Sequence, residues 1–513
     1  MGRNVFRLAT FFASITLSGC ALIAGLDFTD EGVGAIGGGG QGGAGTGTGT
    51  GTGGTGAGGD AGWGPDILIS LDGAGDDAMA GVTVLEGTNN IVLLGSYTQS
   101  VGHLTGRMSV PANNDGFYLA RLNDDGSEMW TEFGYTESMG LAGVTSDVDD
   151  IVFAGNGLAA VNAGGMEVAL LPNDAFFVPS DHGGSISIPT VYSDSGAQVP
   201  LDVAAGVGAN FAVAGYFTTG IDLGGGLSLG ELTMAEEAGF AGVVDKTGVA
   251  QWLTGVRGPG NQRIRAVTVR LGNVIVAGTT NQSTTIQASA GGNSVDLTIS
   301  EPGAPKVFWA ELDDETGIPS AGGTFAGTGN QHVHGLAAAG GDGFLAVGYH
   351  NGELNIPGIA SASATGMRDG YAAMVHPSDP ASQWLTRLEG PLQQEITAAA
   401  VRSPAEIVIG DFYEGAATLR SADFDLALPD STSNVQDMFV AGLDRTTGDP
   451  LWVVSLHSPE NADVLEDLVV DALGRVVVGG TFSGALTFGN RTTGGTTSGL
   501  GGFVTRFDPA TLP

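Results

Sequence analysis

The chain of 513 residues has one cysteine, and its 18 basic side chains, only two of them lysines (Lys246 and Lys306), stand against 55 acidic ones, a formal net charge of −37. A single cysteine excludes an internal disulfide and any cysteine-built zinc or iron–sulfur centre. With so few cations and no basic cluster, nucleic acid is excluded as a partner, because a polyanion would be repelled. No stretch holds a sustained helical period, and no apolar run reaches the roughly 20 residues needed to cross a bilayer. A Gly-x-Ser-x-Gly elbow, a Walker loop and a His-Glu-x-x-His helix are all missing, so no residue is assigned a catalytic role. What the chain has in excess is glycine, 89 residues, alongside an apolar fraction of 42% that suffices for a buried core.

The first residues divide into a basic start (Arg3, Arg7), an apolar run from Leu8 to Leu17 and a small-residue exit, Leu17-Ser18-Gly19-Cys20. The run is short enough for a secretory h-region. The whole resembles a bacterial lipoprotein signal. That resemblance implies removal of residues 1–19, diacylation of Cys20, and attachment to the cell envelope. Ala21, where Asp would signal inner-membrane retention, implies the outer membrane. Lipid chains contribute about 0.8 kcal/mol per buried CH₂, and two or more make anchoring stable. From Gly32 to Gly64, 19 of 33 residues are Gly. Such a segment cannot form a core, and residues 20–65 are expected to be a disordered Gly/Thr tether spanning roughly 30 Å.

The remainder, 66–513, is repetitive. A short aliphatic run ending in Gly occurs seven times, closing at Gly95, Gly155, Gly215, Gly278, Gly348, Gly410 and Gly479, with a mean period of about 64 residues. About ten residues before each lies another apolar strand, such as Val82–Leu85 or Ala266–Val269. Some 20–30 residues after comes a Phe-rich strand, such as Phe117–Leu122, Val307–Leu312 or Phe439–Leu443. An Asp/Gly turn then leads to a fourth strand that often opens with Trp: Trp130, Trp252, Trp384, Trp452. Four strands repeated seven times specify an all-β fold, a seven-bladed β-propeller of four-stranded blades. These elements resemble the seven-bladed propeller repeats of exported bacterial proteins, and more loosely kelch, whose double Gly appears only as Gly479-Gly480.

With the strands lettered a to d, Ile67–Leu71 has no a, b or c strand before it, and the chain ends on a c strand, Phe503–Phe507. Residues 67–71 are therefore expected to complete the seventh blade and close the ring. Alternation then puts the a–b and c–d turns on one plain face. The b–c and d–a connections lie on the other, with inserts around 280–305 and 414–436 that mark it as the variable, functional face. The tether should leave from the plain face.

Polar residues recur at the d–a connections, near the channel mouth: Asp76-Asp77, Glu137, Asn261-Gln262, Asn330-Gln331-His332, Gln394-Glu395 and Glu460-Asn461. They could bind a glycan, a cation or a polar peptide, or simply satisfy backbone groups where strands begin. His332-x-His334 puts two imidazoles on one side of a strand, but without a second His pair no metal site is assigned. Asp-rich turns such as 312–317 suggest Ca²⁺, but they lack the full spacing of oxygen ligands and turn geometry explains them better; no cofactor is expected. The expectation is a monomeric, lipid-anchored binding module with an unknown protein or glycan ligand. The rival readings are an enzyme acting on glycans with carboxylates at the channel mouth, and a scaffold subunit of an envelope complex.

Overall fold

The computed structural model describes residues 63–513 apart from short segments at 74, 86, 100, 102–103, 105–114, 138, 148, 159, 208–209, 231–235, 290, 300–301, 342, 360, 430–435, 459–462, 495–498 and 513. Cys20, Glu460 and Asn461 lie outside the described residues. The seven repeats form seven blades around a central channel, as the period predicts. Strand a is innermost in each: Asp77–Val84, Gly140–Ser146, Gln198–Val207, Gln262–Arg270, Gln331–Ala338, Ala398–Ser403 and Val464–Val470. The b strands are the aliphatic-Gly runs. They are buried along nearly their whole length because blades pack on both of their faces. Core residues from neighbouring blades interleave, as where Phe117, Phe153 and Phe176 meet edge to face at 5.4 and 6.4 Å.

The recurring Gly has a steric cause. A Cβ on Gly215, Gly278 or Gly348 would lie 2.0 Å from the carbonyl oxygen of Val199, Arg263 or His332 in the adjoining a strand. That close approach accompanies a β-bulge: strand a carries one extra residue opposite this Gly in six of the seven blades. In blade 7 the paired glycine is Gly480 rather than Gly479.

The recurring Trp stitches blades together. The indole N–H of Trp130, Trp252 and Trp384 donates to the backbone carbonyl of His182, Asp314 and Arg445, at 3.0, 2.7 and 2.9 Å. Each acceptor lies in the c–d turn of the following blade, whose Gly (Gly184, Gly317, Gly448) is pressed against the ring in a left-handed conformation. Trp384→Phe should cost about 1 kcal/mol through the lost hydrogen bond, and Trp384→Ala about 3–5 kcal/mol through the cavity it leaves. Urea unfolding of the two variants would check this ordering.

The ring closes as the sequence predicts. Ile67–Ser70 pairs antiparallel with Gly501–Phe507 in the order d-c-b-a of blade 7. Ile67 opposes Arg506, so the strand begins at the c–d turn end. Arg506, almost fully buried, holds Asp66 at 2.7 Å and Asp124 of the next blade at 2.7 Å. Arg475, in the a–b turn of blade 7, joins the same carboxylates. The chain therefore leaves Asp66 on the plain face.

The long b–c inserts are not free-standing loops. Four of them fold back as hairpins, 160–169, 284–297, 418–427 and 487–492, and extend the d strands of blades 1, 3, 5 and 6. Strand d is the outer edge of each blade, with unpaired backbone groups, and a hairpin covers that edge. The length variation is spent on blade edges as well as on the upper face.

Candidate functional site

Aligned at the bulge, the a strands present two side chains per blade to the channel, one at the bulge and one two residues earlier. At the bulge position stand Ala80, Ala142, Leu201, Arg265, His334, Thr397 and Glu466, all lining the channel. Two residues earlier stand Ala78, Gly140, Val199, Arg263, His332, Glu395 and Val464. Blades 1 to 3 are small or apolar at both positions, whereas blades 4 to 6 carry Arg263, Arg265, His332, His334, Glu395 and Thr397. The polarity of the mouth sits on one side of the ring.

Neighbouring strands complete this side. Tyr349, just after the Gly of strand b in blade 5, stacks on His332 at 4.6 Å, and His334 lies parallel to His332 at 6.3 Å. Arg368, immediately before strand c of blade 5, lies over the Tyr349 ring at 4.8 Å and contacts Glu395 at 2.9 Å. The other Glu395 oxygen is 3.1 Å from His334 Nε2. Arg263 covers Tyr216 at 4.6 Å and is held by Glu237. Burial keeps His332 well below its usual pKa, and the charges of Arg265, His334 and Arg368 lower it further, so its imidazole is neutral. Asp411, the residue after Gly410, is wholly buried. Burial raises its carboxyl pKa well above the usual range, and Glu395 and Glu466 push it further the same way. Glu466 is pushed up to about 8 by burial and by Asp467.

From the bulge ring toward the a–b turns the channel is a cavity of about 550 Å³, walled below the ring by residues such as Val82, Val144, Val203, Val267 and Leu468. Asp202 and Asp467 lie here, reached by water along the channel but surrounded by protein. Each carboxylate accepts two backbone N–H groups, one from its own strand and one from the next blade: Val203 and Val267 for Asp202, Leu468 and Val82 for Asp467. Burial raises their pKa values to about 7 and about 6. They satisfy exposed inner-edge amides and tie adjacent blades together.

The sequence-derived candidates separate into two groups. His332 and Glu395 face the mouth. Asp77, Gln262, Gln331 and Gln394 do not: the first three are buried at the first position of strand a, and Gln394 is buried just before it. There the Gln262 amide donates to Pro259 O at 2.9 Å, Gln331 to Ala326 O at 2.7 Å, and Gln394 to Glu414 O at 3.1 Å. Asp77 accepts the Gly73 N–H at 2.6 Å. Gln198 makes the same kind of bond to Gly220 O. Each polar side chain here locks the loop beside its strand and so satisfies backbone groups where the strand begins. Asp76 and Asn261 are exposed, while Glu137 and Asn330 are half-buried beside them. No group of three or more His, Cys, Asp or Glu arranged to hold a metal occurs among the described residues, and the imidazole pair is packed against Tyr349.

Sequence reading missed Arg265, Tyr349, Arg368, Asp411 and Glu466. The available signal was the register itself. The residue after the repeated Gly faces the mouth, and among the seven blades only Tyr216, Tyr349 and Asp411 are aromatic or acidic there.

No family model matches the sequence, and no curated protein matches it. Solved structures with detectable similarity include Sqt1 from Chaetomium thermophilum, 11% identical over 63% of this chain and 86% of that one, with a TM-score of 0.27. Another is the extracellular domain of a putative one component system from B. thetaiotaomicron, 7% identical over 84% of this chain and 75% of that one, with a TM-score of 0.20.

Proposed function

We propose that this seven-bladed propeller is a binding module, tethered to the bacterial outer membrane through lipid on Cys20, that holds an acidic glycan at the channel mouth of blades 4 to 6. One observation carries the reading. In a chain with a formal net charge of −37, three guanidiniums (Arg263, Arg265, Arg368) converge with stacked Tyr349, His332 and His334 on one side of a channel whose other side is inert. Glu237 pairs with Arg263 and Glu395 with Arg368, while burial holds Asp411 protonated. The mouth is therefore a local positive minority on an acidic protein, suited to a carboxylate, with ring faces suited to a sugar.

A glycan array probed with the full chain, with and without Ca²⁺, tests this. Uronic-acid oligosaccharides should bind independently of Ca²⁺, Tyr349→Ala should weaken binding at least tenfold, and Arg368→Lys, which keeps a cation beside Glu395, should do so with little change in thermal midpoint. Binding confined to neutral glycans, or untouched by these substitutions, would contradict it.

The enzymatic reading keeps one specific support. Asp411 and Glu466 hold protons beside one another, with Glu395 close to Asp411, the arrangement a general acid needs. Release of reducing ends from the bound glycans, abolished by Asp411→Asn, would move the assignment from binding to cleavage.

A further inference from the structure

Large apolar side chains left exposed are not evenly spread over the propeller. Of the nine that are most exposed among the described residues, Met129, Ile188, Val249, Leu271, Leu451 and Leu473 lie in the a–b or c–d turns or at the adjoining ends of d strands. All six are therefore on the plain face. Two form the tips of a–b turns, the turns nearest the channel axis: Leu271, 80% exposed, in blade 4, and Leu473, 65% exposed, in blade 7.

Leu271 stands out for a second reason. Arg270 pairs with Asn273, so Leu271-Gly272 is a two-residue hairpin loop, and Leu271 has φ of +44°. Asn, Asp or Gly normally takes that position, because a left-handed backbone crowds any larger L side chain. A strained, solvent-facing leucine adds nothing to the hairpin that asparagine would not provide better. Its side chain has use only if something apolar meets it.

The position of the chain's start indicates what that is. The described chain begins at Trp63 and Asp66 on this same face, where Trp63 packs on Phe488 and Phe507 and Asp66 pairs with Arg506. The segment from Cys20 to 62 is Gly-rich and would reach roughly 30 Å. An anchor at Cys20 thus attaches to the protein on this face, at Asp66.

We propose that the plain face docks on a neutral, zwitterionic lipid surface, inserting Leu271 and Leu473 with Ile188 and Val249 beside them. This rests on the envelope-tether reading. The face also carries acidic turns, including Asp124, Asp147, Asp245, Asp313 and Asp444, which oppose approach to anionic lipid. Docking in this orientation presents the channel mouth of blades 4 to 6 outward.

Because Cys20 is the only cysteine, the full chain can be coupled through it to maleimide-lipid vesicles of phosphatidylcholine. This fixes the tether whether or not the cell acylates Cys20. Amide exchange at 270–273 and 471–475 should slow at least fivefold on the vesicles relative to the free chain. The slowing should diminish when phosphatidylglycerol is added, and disappear in Leu271→Asn/Leu473→Asn. Leu271→Asn alone should also keep or raise the thermal midpoint, whereas a structural role for this leucine would lower it. Unchanged exchange on the vesicles, or slowing that survives the double substitution, would overturn the docking proposal. The mass of the N-terminal peptide from the native host tests the anchor separately: absence of an acyl mass refutes the anchor and leaves the docking result standing.

Discussion

A chain beginning at Asp72, without its closing strand, is expected to lose cooperative folding and to be recovered aggregated or with a broad, low thermal transition. The removed segment is short, but three separate interactions end with it. Strand c of blade 7 loses its partner along Phe503–Arg506 and becomes an open edge beside blade 1. Ile67 and Leu71, both buried, leave a gap in the core shared by blades 7 and 1. Arg506, barely exposed, loses Asp66 and keeps only Asp124. Stranding a buried guanidinium is costly, about 3–5 kcal/mol when its partners go altogether. A propeller has no independent blades, so damage at the seam exposes both neighbours. The milder variant Asp66→Ala leaves the strand in place and should cost about 1–3 kcal/mol, because Asp66 is itself partly exposed. Scanning calorimetry of the truncated and substituted chains distinguishes these outcomes. A truncated chain that melts sharply near the intact midpoint would show that the ring does not depend on its seam.

Acidity should change stability in the direction opposite to ordinary acid denaturation. Burial disfavours the charge of several carboxyls, and five of them have pKa values raised to between about 6 and 8: Asp77 and Glu466 near 8, Asp202 and Asp463 near 7, Asp467 near 6. In the unfolded chain the same groups ionise near pH 4. Between those limits the folded state binds more protons than the unfolded state, so stability falls as pH rises. The contribution is complete below about pH 4 and is lost progressively above it, until pH has passed the folded-state values of 6 to 8. A tenfold gain in proton affinity on folding corresponds to about 1.4 kcal/mol, but water along the channel screens Asp202, Glu466 and Asp467, so the five together should contribute about 5 kcal/mol. A thermal midpoint about 5 °C higher at pH 5 than at pH 8 should follow. Carboxyls with lowered pKa values, such as Asp124, Asp181 and Asp245, act in the reverse sense and limit stability only at still lower pH. Their pull comes from Arg475 and Arg506 or from turn N–H and hydroxyl groups at the surface. Asp467→Asn should flatten part of the pH dependence while keeping its contact with Val82 N–H. A midpoint that is level or rises from pH 5 to pH 8 would refute this assignment.

Local signals carried the architecture well. Each repeat has its own strand periodicity, its own turn and its own Gly, so seven blades and their order could be counted from the chain. The closing strand could be deduced because one d strand stood without its blade. The inserts were harder. Residues 284–297 and 418–427 read as face loops because nothing in their sequence names the edge they cover, and that edge belongs to the preceding blade. The site was harder still. Gln262, Gln331 and Gln394 drew attention through repetition, yet a polar residue repeated at every strand start answers a need that every blade has, namely tying its loop. A site needs what the other blades do not have. Arg265, His334 and Glu466 were visible as departures at the bulge, but the bulge itself became legible only once Gly278, Gly348 and Gly480 were seen facing the carbonyls of Arg263, His332 and Val464. Arg368 and Asp411 come from other strands of blades 5 and 6, and only the closed ring brings them to Tyr349 and Glu395.

The central claim is that the channel mouth of blades 4 to 6, rather than the long inserts, holds the ligand. Hydrogen exchange of the full chain with and without a saturating uronic-acid oligosaccharide tests this directly. Slowed exchange should map to residues 262–266, 331–335, 349–350, 368–370 and 394–398 and leave blades 1 and 2 unchanged. Slowing confined to the hairpins at 284–297 and 418–427, or spread evenly over all seven inner strands, would contradict the claim.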